Sequence, residues 1–319
     1  MKVGIVGAGI AGLSAGRELH KQGHQAVLFE KSRGPGGRCA TRRRGDFFWD
    51  SGATSILPRG KALEQVILEE LPTDELTRIT LPVATHENLR VRPGDPRRGG
   101  TRYCYQNGMN TLAKLLATGL DIRPEVSVDA IEKLGEQFKI AGEIFDAVIL
   151  TCPIPQTSLL LWGMNESRPI GNVRYRPCIS VLLGYETPLP ETHYFAVLDP
   201  EQSHPLTWLS LESNKVPGRP PTLVAQMNRT FSAREYDRAD SDLVSTVSTY
   251  IASLIGNAHA VPAVSDVMRW KYSQPESFAD FGQVNPPGSK IILASDGLLG
   301  GHLEDAYEVG LKAARMLES

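Results

Sequence analysis

Cysteine is scarce in this 319-residue chain. Its four residues, Cys39, Cys104, Cys152 and Cys178, are widely spaced and form no C-x-x-C pair, so neither a redox dithiol nor a zinc site is expected and all read as free thiols. An excess of one charge is also missing. Lys and Arg number 34 against 36 Asp and Glu, a net charge of −2, which argues against nucleic acid as a partner. No apolar run approaches the length needed to cross a bilayer, and the opening apolar stretch runs directly into glycines rather than through a leader-like segment. Neither membrane nor export is therefore expected, and the inferred location is cytoplasmic. Internal repeats and low-complexity segments are absent. Of seven histidines, His20 and His24 have i, i+4 spacing, but both sit where a helix ends and no third ligand is near, so no metal is expected.

Glycine, by contrast, is plentiful and placed with purpose. An apolar strand at 2–6 runs into Gly7-Ala8-Gly9-Ile10-Ala11-Gly12 and then into a helix-like segment at 10–21. In such a strand-turn-helix unit Gly7 permits the tight turn, Gly9 lets backbone approach a pyrophosphate, and Gly12 allows close helix-on-strand packing. The helix N-terminus then faces the phosphates with unpaired amides and its partial positive pole. A second strand at 25–29 ends at Glu30, which can accept hydrogen bonds from both hydroxyls of an adenosine ribose, with Lys31 following it.

A second signature, Gly36-Gly37-Arg38, suits a further contact on the pyrophosphate and ribityl chain, because its glycines expose amides and its arginine adds a fixed charge. The two signatures in this order point to FAD. Arg42-Arg43-Arg44, just downstream, reads either as a solvated run of charge or as a ligand contact.

The stretch from Val3 through Arg43 resembles the FAD-binding start of the flavin amine oxidase superfamily, and the whole chain is most similar to its short renalase-like branch. Asp50-Ser51-Gly52-Ala53 resembles the family's turn beside the flavin, and Gly108-Met109-Asn110 its helix start. Residues 146–156 resemble the strand that ends in Thr-x-Pro-x-Pro-Gln. Ala294-Ser295-Asp296-Gly297, Gly300-Gly301 and the helix at 304–317 resemble the final FAD element. The resemblance implies that Ala53 lies beside the flavin, that the Val126 backbone contacts adenine, and that Asp296 accepts from the ribityl chain. Amides from Leu303 to Asp305, at a helix N-terminus, would stabilise the anion that develops on the reduced flavin. Some amine oxidases attach FAD covalently to a cysteine near the C-terminus; no cysteine follows Cys178 here, so the resemblance implies that FAD is held non-covalently.

The expected fold is α/β: a Rossmann-like FAD-binding domain, a parallel sheet with a β-meander, carrying an inserted mixed-sheet substrate domain. The FAD-binding domain is read as discontinuous, over residues 1–70, 120–165 and 261–319, and the substrate domain as 71–119 and 166–260. Short strand-like runs at 178–185, 194–198, 206–211 and 222–228 would form a sheet over the flavin, covered by an amphipathic helix at 240–254.

A flavin accepts a hydride at N5, and reoxidation by dioxygen gives hydrogen peroxide. The branch is associated with oxidation of isomeric dihydronicotinamides, NAD(P)H forms, as small-molecule substrates. Asn214 resembles its pocket asparagine, Gln226 stands where renalases tend to carry a histidine, and Lys271 and Tyr272 lie in a segment resembling that at the flavin edge. These four are the candidate catalytic residues. The tyrosine of the amine oxidases' C-terminal aromatic cage is missing from 295–302. An oxidase of reduced nicotinamide isomers, an amine oxidase or related desaturase, and a non-catalytic FAD-binding protein are the three readings the sequence leaves.

Overall fold

The computed structural model describes residues 1–94 and 100–318, so residues 95–99 of the Pro- and Arg-rich stretch at 90–102 lie outside it. Five parallel strands form the first sheet, in the order Ile291–Leu293, Ala147–Leu150, Lys2–Val6, Gln25–Glu30 and Asp121–Pro124. Ala147–Leu150 is wholly apolar and buried throughout, as a central parallel strand covered on both faces must be. A three-stranded antiparallel meander, Glu132–Leu134, Gln137–Ile140 and Glu143–Phe145, precedes it in the chain.

The helix Ile10–Lys21 packs closely against the C-terminal helix Leu303–Arg315. A Cβ on Gly310 would lie 2.0 Å from Ser14 Oγ and 2.1 Å from the Ala11 carbonyl. That hydroxyl donates to the Tyr307 carbonyl at 2.8 Å, so the two ends of the chain are joined through a contact only glycine permits.

The second sheet has seven strands, ordered Val264–Pro275, Tyr175–Gly184, Thr222–Met227, Leu206–Leu211, Ala196–Leu198, Val83–Glu87 and Arg90–Arg92. Its pairs are antiparallel except Ala196–Leu198 with Val83–Glu87. Side chains alternate across it. Ile179, Val181 and Leu183 share a core with Leu243, Val247 and Ile251 of the helix Asp240–Ile255. Leu182 and Val224, on the opposite face, pack on Trp49, and Gly184 admits the Phe47 ring. The sheet thus carries a helix on one face and the Phe47–Trp49 segment on the other.

The sheets divide the chain differently from the expected boundaries. Val264–Pro275 belongs to the seven-stranded sheet, so that sheet extends past residue 261, because this strand pairs along the whole of Tyr175–Gly184. In the other direction, Tyr105 and the helix Asn110–Ala117 share a core with the helix Ile10–Lys21 although they fall within 71–119. Among the described residues no helix is long and apolar enough to cross a membrane.

Candidate functional site

One wall of the site is backbone. Gly7 has φ +103°, and a Cβ there would meet Thr151 Oγ1 at 2.6 Å, so both its conformation and its space require glycine. A Cβ on Gly12 would lie 2.0 Å from the Gly7 carbonyl oxygen, whereas one on Gly9 would meet nothing within 4 Å. The open approach is at the position expected to face a pyrophosphate. The helix beginning at Ile10 has no side-chain cap and no acid in its first turn, and its N-terminal amides lack intrahelical partners by geometry.

The second signature packs onto the first. Gly36 N–H donates to the Ala8 carbonyl at 2.9 Å, and a Cβ on Gly37 would lie 3.4 Å from Gly9 Cα. Glu30 is buried, its two carboxylate oxygens accepting from Ala8 N–H at 3.0 Å and Ser32 N–H at 2.8 Å. An ionised carboxylate offers about four acceptor positions, so capacity for a ribose diol remains. Val126 N–H donates to the Glu30 carbonyl at 3.0 Å, which sets Val126 beside the same strand end. Ala11 is buried behind the turn, and Lys31 is exposed. Cys152 lies next to Gly7, where burial pushes its thiol up to about 11. This cradle fits FAD: glycine space, free amides and a ribose acceptor lie along one strand edge.

The far end centres on Asp296, buried just beyond the strand Ile291–Leu293. Its carboxylate accepts from Tyr175 Oη at 2.5 Å, Gly297 N–H at 3.0 Å and Arg38 Nη1 at 2.6 Å. Arg38 Nη1 also reaches the carbonyls of Tyr272 at 3.2 Å and Ser273 at 2.9 Å. Those carbonyls lie in a bulge. Between the pairs Trp270–Cys178 and Gln274–Arg176, residues 271–273 stand opposite Pro177 alone, so the ladder is interrupted and Arg38 takes up the freed acceptors. Arg38, expected on the pyrophosphate and ribityl chain, thus has this nitrogen engaged with Asp296 and the bulge. Tyr175 and Tyr272 meet edge to face, centroids 5.8 Å apart, and burial followed by the Asp296 charge pushes the Tyr175 phenol well above its ordinary value.

The C-terminal helix brings Leu303, half-buried, to its first turn. The Asp305 side chain closes the start of this helix. It accepts from His302 N–H at 2.8 Å and caps its own helix, and a Cβ on Gly300 would lie 2.2 Å from the same carboxylate.

The second wall is made of side chains. Gln226 Nε2 donates to the Gly52 carbonyl at 2.7 Å, and Trp270 Nε1 to that of Ser51 at 3.0 Å, so the sheet grips residues 51 and 52 from two strands. Ala53 N–H donates to the Arg38 carbonyl at 2.9 Å, which holds this ledge against the second glycine signature. In register with Gln226 stand Trp208 on one side and Ser180 on the other, and Met268 follows Ser180.

Beneath the ledge lies a feature the sequence reading missed. Asp50 Oδ2 accepts from Lys215 Nζ and Arg219 Nη1, both at 2.9 Å, and Glu212 Oε2 accepts from Arg219 Nη1 and is ion-paired with Lys215 Nζ, both at 2.6 Å. All four side chains are at most 1% exposed. Burial alone would push the Asp50 carboxyl up, but Lys215 and Arg219 outweigh it and hold the group below the carboxylate range. Residues 212–219 gave no periodic signal by which this could have been seen.

The structure therefore brings Arg38, Gly52, Ala53, Gln226, Tyr272 and Asp296 into one connected set. Asn214 and Lys271 are engaged otherwise. The Asn214 amide donates to Thr192 Oγ1 at 2.8 Å and the Tyr194 carbonyl at 3.2 Å, bracing a loop. Lys271 is exposed, its ammonium 5.7 Å from the Tyr272 ring centre.

Comparison with known proteins agrees with this geometry. Residues 5–69 match the NAD(P)-binding Rossmann-like domain, and residues 94–317 match the flavin containing amine oxidoreductase model. A zeta-carotene-forming phytoene desaturase of Myxococcus xanthus is 45% identical over 56 residues, and a 4,4'-diapophytoene desaturase of Staphylococcus aureus is 37% identical over 57. Each match covers 18% of this chain and only 11% of the desaturase. Across the full chain the fold is similar to that of putrescine oxidase with bound putrescine, at TM-score 0.80 and 14% identity, covering 99% of that chain. A protein of Exiguobacterium sp. 255-15, provisionally called a protoporphyrinogen oxidase, gives TM-score 0.80 at 16% identity with the same coverage. With a family model spanning more than half its length over this cradle and fold, the chain belongs to the flavin containing amine oxidoreductase family.

Proposed function

We propose that the protein oxidises a small reduced substrate held beside the Gly52 ledge, against the inner face of the seven-stranded sheet, and that this substrate is an isomeric dihydronicotinamide, as in the renalase-like branch. The observation that carries this is the chemistry of the row Trp208, Gln226, Ser180 and Met268, with Trp270 beside it. Aromatic and amide groups are present and no acid is among them, which suits a neutral ring bearing a carboxamide better than a cationic amine. When bound, FAD supplies the two-electron acceptor, and dioxygen is the proposed final oxidant. Gln226 fixes the ledge and offers a carboxamide to the substrate. Tyr272, set by the bulge that Arg38 holds, borders the entrance, and Trp270 anchors Ser51. The first-turn amides of the helix Leu303–Arg315 favour negative charge near them. With no cysteine after Cys178, FAD is held without a covalent link, so acid precipitation should release all of it.

A second reading, an amine oxidase or related desaturase, draws on the Tyr175–Tyr272 pair as an aromatic border. The test is anaerobic mixing of the FAD-loaded protein with base-treated NADH containing its isomers, with pure NADH and a simple amine as controls. Loss of oxidised-flavin absorbance with the isomers alone supports the proposal. Bleaching by the amine alone would transfer the protein to the second reading.

A further inference from the structure

We infer that Lys215 is a positioning residue, a buried clamp that closes both ends of the flavin-side ledge and fixes it against Gln226. Its ammonium donates to Asp50 Oδ2 at 2.9 Å and to the Thr54 carbonyl at 2.7 Å, so one group holds the first and last residues of the segment 50–54 whose centre, Gly52, accepts from Gln226. The same ammonium is ion-paired with Glu212 Oε2 at 2.6 Å. The other partners are equally committed. Asp50 Oδ1 accepts from Met109 N–H at 2.7 Å and Thr41 Oγ1 at 3.0 Å, and Glu212 Oε1 from Ser210 Oγ at 2.8 Å. Arg219 donates to the carbonyls of Tyr105 and Gln106.

Charge explains why the clamp closes one way. Glu212, Lys215 and Arg219 lie on one short segment and together carry a single positive charge, which Asp50, from the opposite wall, neutralises. A ledge displaced from this segment would leave an unbalanced charge in a fully desolvated place, so the docked geometry is strongly preferred. A buried network with every member satisfied specifies one arrangement.

The direct test is the double variant Lys215→Met/Glu212→Gln, which removes the clamp yet leaves the neutral Asp50–Arg219 pair. Hydrogen exchange at Ser51 and Ala53, whose amides donate to Ala40 and Arg38, should accelerate at least tenfold, and the visible circular dichroism of bound FAD should change. The rate of flavin reduction by the donor should fall at least tenfold. Unchanged exchange and dichroism in the double variant would overturn the inference, even with a lowered melting temperature. Only the rate rests on the donor assignment. A wild-type protein that no dihydronicotinamide reduces counts against that assignment and leaves exchange and dichroism to decide on the clamp. Should the double variant not fold, wild-type exchange decides. Ser51 and Ala53 amides exchanging as fast as the exposed turn at Gly45 and Asp46 would refute a clamp, and exchange orders of magnitude slower supports it.

Discussion

The two walls of this site are built from different materials. The cradle around Gly7, Gly9, Gly12, Gly36 and Gly37 is backbone shaped by the absence of side chains, and its parts lie within some thirty residues of one another. The roof around Gln226 consists of side chains from strands far apart in the chain, aligned only by cross-strand register. A backbone wall recognises what members of the family share, a dinucleotide. A side-chain wall can change by single substitutions and so carries what distinguishes one substrate from another.

That contrast can be broken by mutation, beginning where the walls meet. Asp50→Asn leaves a buried positive charge without its partner and should cost about 3–5 kcal/mol, read as loss of stability in denaturant. The fold depresses the Asp50 carboxyl, so its contribution is fully present above the ordinary value of 3.8 and is lost as pH falls below it. The variant should therefore show a shallower loss of stability on the acid side than the wild type. Gly12→Ala sets a methyl 2.0 Å from a carbonyl that cannot yield without moving the turn, and should cost about 3 kcal/mol together with most FAD binding. Thermal melts with and without added FAD would show both effects.

Smaller effects separate the walls more finely. Glu30→Ala removes the expected ribose acceptor and strands two amides, so FAD should bind roughly 10- to 100-fold more weakly while the protein stays folded. Full retention of yellow colour after dialysis would refute the ribose assignment. Smallest of all, Lys139→Ala, which breaks an exposed pair with Glu132, should move the melting temperature by no more than about 2 °C and leave FAD and substrate binding unchanged.

How much of this was legible in the sequence follows the same division. The cradle was, because its glycines are local and their spacing encodes turn, approach and packing in one stretch. The strands around Cys178, Leu206 and Thr222 and the helix near Asp240 were also visible, since their apolar periods are short-range. The register that sets Trp208 beside Gln226 was not, because nothing near either residue specifies a pairing across the intervening turn. Arg38 was read as a cofactor ligand because its motif implies one. The bulge that claims its Nη1 arises between two strands nearly a hundred residues apart. The Lys215 clamp escaped for the opposite reason: a lysine between Asn214 and Val216 carries no local sign of burial until the fold sets it against Asp50.

The division between the walls is most directly tested by the Gln226→Leu variant, measuring its FAD dissociation constant and its KM for the bleaching donor. The account predicts a KM raised about tenfold, the loss of one hydrogen-bonding partner for the substrate, and an FAD constant weakened by much less, since the Gly52 carbonyl alone loses its partner on the cofactor side. An equal weakening of FAD binding with KM unchanged would contradict it, since Gln226 would then belong to the cofactor's wall.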